Sequence, residues 1–553
     1  MGQQVPVYVA AQSAGIRKQG RIRMRRVTVW ALWVLLATWS CSAVTVTVNP
    51  AIEHQTMDGF GAHGAMDVWW SNGPFYNDQF LSWILDDLGM TIFRNEFYPD
   101  ETREAMGYRE SHWQKQLPYL RAVKAAADSR GIDVKFMATL WSPPGGMKYN
   151  QVTKGTDVMW NRVSNGLGPY NNYLEPDKHP EKGGKPDMYP AFVDYCADAV
   201  ERYRDDAGIE LYAFSPANEP RFAQSFNSCV WEPEQYRDMI ALLGPEFQRR
   251  GLTTKIVGAE DMAARCGEYA GRINVHAPAK PHLHIFAVHG YSNGVDPYLP
   301  NTASRRMAQI GTSMGIPVWM TETSGYHETW EDALKLGMTM AAAIKWGRVA
   351  GWVWWQLGGG TTLNEYDLMT KDTRGIRYYV SKNFYRYIRP GAVLVESASD
   401  DDAVLDIAFN DKQRRRFVMV LVNTGASSKT VAVSGGDVPS QLHGYRSSSG
   451  ERCGDIGTVS SGAVSLPAGS ITTLVADNYA PVGVADSHAR AAEAVSVRLR
   501  GAQRRLFSID GRVVATHGDA RPHAAGVYCV QLRGTQGHTV GRHLVSRGAD
   551  MPR

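Results

Sequence analysis

Residues 317–357, PVWMTETSGYHETWEDALKLGMTMAAAIKWGRVAGWVWWQL, contain one complete unit of the fold. PVWMTET (317–323) is a short apolar run that ends on polar residues, WEDALKLGMTMAAAIKWG carries apolar residues at helical spacing and closes on Gly347, and GWVWWQL (351–357) is a second apolar run. A strand, a helix and a strand with no returning strand between them make a parallel pair. The same alternation extends upstream. Strands are read at DGFGAH (58–63), TIFRNEF (91–97), VKFMATLWS (134–142), LYAFSPANE (211–219), KIVGAED (255–261) and IFAVHGY (285–291), separated by amphipathic stretches such as NDQFLSWILDDLG and WQKQLPYLRAVKAAADSRG. Eight such units predict an α/β fold, a closed (β/α)8 TIM barrel over residues 58–389. An open doubly wound sheet would need a glycine-rich phosphate loop leading into a helix after strand one, and GFGAHG (59–64) is not followed by a helix in that register.

Around the barrel the texture changes. After residue 390, AVLVESA, VLDIAFN, RRFVMVLVNTG, KTVAVSGG and GSITTLVAD alternate apolar and polar residues between Gly, Ser, Asn and Asp, the pattern of a β-sandwich over 390–477. The alternating strand at 44–57 is expected to join it. A linker at 478–493 then leads to a small β-rich C-terminal domain (494–553), with LFSIDGRVV, AAGVYCVQLRG and HTVGRHLVSR as strand and turn patterns. Within the barrel, the connection 143–188 is too long for an ordinary loop and is expected to wall a substrate cleft.

Composition narrows the function. The 59 Lys+Arg nearly balance 55 Asp+Glu, and basic residues gather at the chain ends, which argues against nucleic acid. Arg21, Arg23, Arg25 and Arg26 precede VTVWALWVLLATW and then small residues around Ser40–Ala43, so residues 1–43 read as a signal peptide, with Met24 an alternative start. The apolar run is shorter than the roughly 20 residues a membrane span needs, and no stable span is expected. Beyond this segment lie Cys196, Cys229, Cys266, Cys453 and Cys529. Cys229 and Cys266 fall on neighbouring loops of one barrel face and are candidates for a disulfide. No CxxC spacing occurs, so no zinc site is implied and no cofactor is expected.

Glu219 ends strand four and Glu322 ends strand seven in this reading. Strand C-termini meet at one barrel mouth, and a retaining glycosidase needs two carboxyl groups about 5–5.5 Å apart. Asn218 is positioned either to donate to a sugar 2-hydroxyl or to stabilise the turn before Pro220. Arg94 and Tyr291 are candidates to hold Glu322 ionised, Arg94 having nearby Glu96 as an alternative partner. Trp141, Trp231 and one of Trp354 and Trp355 are candidate sugar platforms, since adjacent strand residues face opposite sides. In PHLHIFAVHGY, His282 and His284 precede the strand and fall at the opposite barrel end, which weakens a metal-hydrolase reading, whereas His289 is expected to line the pocket.

At these residues the chain resembles glycoside hydrolase family 30, in the clan of retaining glycosidases whose acid/base and nucleophile end strands four and seven. The resemblance runs from GFGAHG through LWSPPGGMK, SPANEP, AVHGYS, WMTETSG, GWVWWQL and YYVSKNFYRYIRPGAV to SLPAGSITTLV, about residues 45–477. It implies a barrel fused to a side β-sandwich, with Glu219 as acid/base, Glu322 as nucleophile and a polysaccharide substrate. Members cleave xylan, β-1,6-glucan, β-1,6-galactan or glucosylceramide; a xylan-type main chain is the first expectation. Bacterial members specific for glucuronate-decorated xylan carry paired arginines after strand eight, where this chain has WQLGGGTTLNEYD. Only Arg374 or Arg377, by an unusual loop path, could replace them. The C-terminal segment resembles the sorting domains of type IX secretion, which implies export and a secretion-machinery partner.

Overall fold

The computed structural model describes residues 43–479 except 71–74, 100–109, 149–152, 155–187, 224–225, 264, 292–301 and 437, together with four strands between Gln503 and Arg547. The signal segment, most of the 143–188 connection and the linker lie outside the described residues.

Eight parallel strands close into a barrel: β2 (Gly59–His63), β3 (Ile92–Glu96), β4 (Lys135–Thr139), β5 (Ala213–Ser215), β6 (Lys255–Met262), β7 (Ile285–His289), β8 (Val318–Glu322) and β9 (Val349–Trp354). β9 pairs with β2 through Gly59↔Gly351 and Phe60↔Trp352, which removes every sheet edge. Helices α1 (Asp78–Ser82), α2 (Glu110–Ser129), α3 (Tyr189–Ala207), α4 (Pro233–Arg249), α5 (Cys266–Asn274), α6 (Thr302–Met314), α7 (Trp330–Lys345) and α8 (Ile376–Tyr385) alternate with the strands.

Local sequence explains the helix ends. The Thr329 side chain accepts from the Asp332 amide at the start of α7, and Glu331 and Asp332 place negative charge at its positive end. Glu232 and Gln235 form a reciprocal capping box on α4. Gly208, at φ 66°, terminates α3 in the left-handed conformation that glycine adopts without steric cost.

Inside the barrel, Ile92, Met137, Ala213, Val257, Ile285, Ala287, Trp319, Ala350 and Val353 form a packed floor. Trp319 fits because Gly351 faces it: a Cβ there would lie 2.6 Å from the indole. Its Nε1 donates to Asp58 Oδ2 at 2.8 Å. The polar residues of the site therefore sit on a filled core rather than over a pore.

β1 (Val44–Thr56) belongs to a second, mostly antiparallel sheet with β10 (Val393–Ser399), β11 (Val404–Asp411), β12 (Arg416–Asn423), β13 (Lys429–Ser434), β14 (Gln441–Ser447), β15 (Gly454–Ser460), β16 (Val464–Leu466) and β17 (Ser470–Asp477). β1 lies between β10, antiparallel, and β13, parallel. The sheet folds over its own core, which includes Val46, Val404, Met419, Leu421, Val431 and Leu474. Two sets of contacts tie it to the barrel helices: Lys345 Nζ, half-buried, reaches Ser397 O, Asp406 O and Asp406 Oδ2 at 2.9, 3.0 and 2.7 Å, and the buried Asn383 donates to Thr473 Oγ1 at 3.1 Å. The four C-terminal strands, β18 (Gln503–Ser508), β19 (Val513–Thr516), β20 (Gly526–Arg533) and β21 (Thr539–Arg547), form a separate antiparallel sheet in the order β19-β18-β20-β21.

Candidate active site

Arg94 organises the barrel mouth. It projects from β3 and is fully buried, a position a charged group holds only when paired. Its Nη1 donates to Glu322 Oε2 at 2.6 Å, its Nη2 to Asn218 Oδ1 at 2.8 Å, and its Nε to Thr139 Oγ1 at 3.3 Å. Nη2 also lies 3.2 Å from Glu260 Oε1. Glu322 receives a second donor at its other oxygen, the Tyr291 hydroxyl at 2.7 Å. Both Glu322 oxygens thus accept hydrogen bonds, one of them charge-assisted. Burial, and then the Glu322 charge, push the Tyr291 hydroxyl well above its ordinary range, so it remains a donor.

Glu219 reaches the same place by a different route. β5 stops at Ser215 because Pro216 lacks an amide to continue the ladder, so Glu219 lies four residues beyond the strand rather than at its end. The loop is fastened by Asn218 N to Leu140 O at 2.8 Å and Glu219 N to Glu260 O at 2.9 Å. Glu219 has a left-handed φ of 44°, an unusual conformation for a residue with a Cβ and one that the surrounding contacts must enforce. His289, at the end of β7, places Nδ1 3.1 Å from Glu219 Oε1 and Nε2 3.8 Å from Glu322 Oε2. Carboxylate oxygens of Glu219 and Glu322 come within 4.8 Å of each other. Both retain slight exposure, 7% and 6%, whereas Arg94, Glu260 and His289 have none. Of these five residues, only the two glutamates therefore reach solvent.

The charge pattern is closely matched. Burial alone would lower the His289 pKa, but Glu322, Glu219 and Glu260 raise it to about 10. Burial would raise that of Glu260, but Arg94 and then His289 bring it down to about 2. Glu219, His289 and Glu322 have the donor atoms of a cation site. That role is already filled by Arg94 and by a protonated His289, whose ring nitrogens have no lone pair left for a metal.

With Arg94 on its Oδ1, Asn218 must direct its amide NH2 elsewhere, because a guanidinium only donates. That amide is the donor available at the mouth. Trp141 lies under Arg94, whose guanidinium carbon is 4.8 Å from the ring centroid, and 5.7 Å from Trp355. Trp355 is half-buried and stacks on His63 at 4.2 Å.

Two participants escaped the sequence reading. Glu260 turns inward because a bulge in β6 between Ala259 and Asp261 breaks the alternation, with Glu260 at φ 51°; in KIVGAED the adjacent acids give no sign of which one faces in. His63 is the other. Burial, then Arg94, lower its pKa well below the ordinary value, and its Nδ1 accepts from Ala65 N at 3.2 Å. The neutral ring must then carry hydrogen on Nε2, which has no partner among the described residues. Its signal was GFGAHG, a histidine at the end of strand one.

No family model matches the chain. It is similar to "Putative glucosylceramidase 2" of Caenorhabditis elegans, 24% identical over 279 residues, which cover 45% of this chain and 48% of the relative, so the chain spans about half that protein's length. An endo-β-1,6-galactanase of Hypocrea rufa is 19% identical over 465 residues, 75% of this chain and 91% of the relative. Among solved structures, a glycoside hydrolase family 30 subfamily 8 xylanase from Clostridium acetobutylicum superposes with a TM-score of 0.63 at 22% identity, over 78% of this chain and 99% of that one. That likeness establishes a shared fold.

The structure corrects three of the sequence expectations and decides two alternatives. Trp231 is no sugar platform: it is 1% exposed and packed between Tyr189 and Phe192, at 5.9 and 5.3 Å. Of the strand-eight pair, Trp354 is fully buried and donates to Tyr366 O at 2.7 Å, leaving Trp355 to face the site. His289 does not line the pocket but is sealed beneath it. The Cys229–Cys266 disulfide is not formed. Both thiols are free and buried, turned to the nearby carbonyls of Val230 and Ala263 at 3.9 and 3.3 Å rather than to each other. Arg94 pairs with Glu322 and Glu260, not with Glu96.

Neither arginine after strand eight is free for a glucuronate branch. Arg374 pairs with Asp87 at 2.8 Å and lies over Trp83, while Arg377 is fully buried and donates to the carbonyls of Tyr326, Asn364 and Asp367. Among the described residues no helix is long and apolar enough to cross a membrane.

Proposed function

We propose that the chain is an exported retaining β-glycoside hydrolase that cleaves a polysaccharide main chain of the xylan type. The observation that carries this reading is the separation of Glu219 and Glu322, within 4.8 Å at their nearest oxygens. An approach that close favours the short separation of double displacement over the wider gap that holds a water in an inverting enzyme. Glu322, hydrogen-bonded by Arg94 and Tyr291, attacks the anomeric carbon as Glu219 protonates the departing glycosidic oxygen. The covalent glycosyl ester on Glu322 is then cleaved by water, which Glu219, now a base, deprotonates. The Asn218 amide supplies a donor to a sugar hydroxyl, and Trp355 supplies a flat apolar face.

The leader-like N-terminus supports export, and the C-terminal sheet is the part that would engage a secretion apparatus. The choice of an undecorated chain rests on the engagement of Arg374 and Arg377 elsewhere. A β-1,6-galactan is the second reading, favoured by the match over 91% of a relative named as an endo-β-1,6-galactanase. The test is mass spectrometry of products from glucuronoxylan, unsubstituted xylan, β-1,6-glucan and β-1,6-galactan. Pentose oligomers from unsubstituted xylan are expected, and all release should vanish in Glu322→Gln. Hexose products alone would move the assignment to the β-1,6 reading, and undiminished activity in Glu322→Gln would sink the mechanism.

A further inference from the structure

We propose that the barrel face opposite the catalytic mouth carries a second saccharide site, selective for a uronate-bearing sugar, formed by Arg386, Arg389, Arg414 and Arg416. These side chains line a cavity of about 720 Å³ where the barrel meets the nine-stranded sheet. Gly89 and Ile132, also in its wall, precede β3 and β4. The cavity therefore opens at the N-terminal end of the strands, away from Glu219 and Glu322. Its volume falls within the range of pockets that hold small ligands.

The charges in the cavity are unevenly matched. Asp86 is held by Arg130, whose Nε lies 3.0 Å from both carboxylate oxygens, and Asp477 by Arg416 at 2.6 Å. Arg414 reaches Asp411 at 3.0 Å. Arg389 donates only to the carbonyls of Gly89 and Tyr385, with no carboxylate partner among the described residues. Arg386 is exposed and its guanidinium has no acceptor among them. Two guanidinium groups thus share a cavity with two more arginines and lack a counter-anion. Burial, and then the charges of Arg414, Arg386 and Arg416, lower the Arg389 pKa to about 10. A bound carboxylate would relieve that repulsion and match the planar fork of a guanidinium through paired hydrogen bonds.

The remaining wall suits a sugar ring. Tyr445 is half-buried, fixed by stacking on Tyr387 at 4.3 Å, and His443 is anchored to Asp455 at 2.8 Å. A rigid aromatic edge beside two unmatched arginines favours a ring bearing a carboxylate over a neutral ring or a bare ion. The choice of a saccharide rests on the hydrolase reading. Such a site would hold a decorated chain at the back of the enzyme while an undecorated stretch occupies the cleft, since the cleft itself has no free arginine after strand eight.

The test is calorimetric titration of the purified protein carrying Glu322→Gln, which prevents turnover, with a glucuronate-bearing xylo-oligosaccharide, a neutral xylo-oligosaccharide of equal length and inorganic phosphate. The acidic oligosaccharide should bind at least about tenfold more tightly than the neutral one. Combining Arg386→Ala with Arg414→Ala should remove that preference, while hydrolysis of a short neutral substrate by the otherwise unaltered enzyme stays unchanged. Equal affinity for acidic and neutral oligosaccharides, or insensitivity to the arginine substitutions, would overturn the site. Phosphate binding as tightly as the acidic sugar would overturn its assignment to a saccharide. Uronate binding without hydrolysis of any polysaccharide would sink the catalytic reading and leave this site standing; hydrolysis without arginine-dependent binding would do the reverse.

Discussion

Glu260→Gln offers the sharpest test of how the site is held together, because it removes one buried charge and leaves the shape of the side chain. At 3.2 Å and an effective dielectric of about 20, the attraction between Arg94 and Glu260 is about 5 kcal/mol. Part of that is offset by the cost of keeping the carboxylate from water. The net figure follows from ionisation: a carboxyl brought from 4.5 to about 2 favours the charged folded form by about 3 kcal/mol. A folded-state pKa below the unfolded one gives stability that is fully present above pH 4.5 and is lost as pH falls toward 2. Urea unfolding followed by tryptophan fluorescence should therefore show Glu260→Gln about 3 kcal/mol less stable than the unaltered chain at pH 7, with the gap closing to about 1 kcal/mol at pH 3. His289 loses one of its three carboxylates in the same variant, so its pKa falls from about 10 and the alkaline limb of activity moves to lower pH. A stability gap that is the same at pH 7 and pH 3, with an unmoved alkaline limb, would refute the reasoning.

Other substitutions separate roles that resemble one another in sequence. Tyr291→Phe removes one of the two donors to Glu322 and should lower kcat about 10- to 100-fold with little change in KM, as measured by initial rates. Trp355→Ala should raise KM with modest loss of stability, whereas Trp231→Ala should cost about 3–5 kcal/mol in unfolding experiments because it empties a core position. Reductant should leave the melting temperature unchanged, and Cys266→Ala should behave alike with and without it, since the thiols at Cys229 and Cys266 are free. Chelator should not reduce activity, because cationic side chains occupy the positions a metal would need.

The barrel was legible because its signal is repeated. Each strand is a short apolar run, each helix a 3.6-residue pattern closed by a cap, and an error in one unit does not alter the closure imposed by eight. Residues at or just past strand ends were legible for the same reason: Glu322 closes β8 and Tyr291 lies two residues beyond β7, whereas Arg94 sits in the middle of β3. Sequence reasoning failed where a single backbone departure decides which way a side chain faces. The bulge in β6 puts Glu260 beneath Glu219 and Glu322, and only a register shift, which leaves no mark in KIVGAED, distinguishes it from Asp261. The tryptophans failed differently. An aromatic residue suits a core and a sugar platform equally well, so Trp231 and Trp355 carry the same prior until their neighbours are known.

These failures point to how the site is built. The residues that would touch sugar, Glu219, Glu322, Asn218 and Trp355, lie at or beyond strand ends, where loops can change with little cost to the barrel. Those that set the charge balance, Arg94, Glu260 and His289, are fully buried and belong to strands. A change in substrate can proceed through Asn218, Trp355 and the loops that carry them, with both glutamates kept. A change in Arg94, Glu260 or His289 leaves a buried charge unmatched, at a cost of several kcal/mol. The charge balance is thereby fixed in the barrel wall and the sugar contacts are left to the loops, which is why the pair of glutamates could be read from sequence far more readily than any substrate.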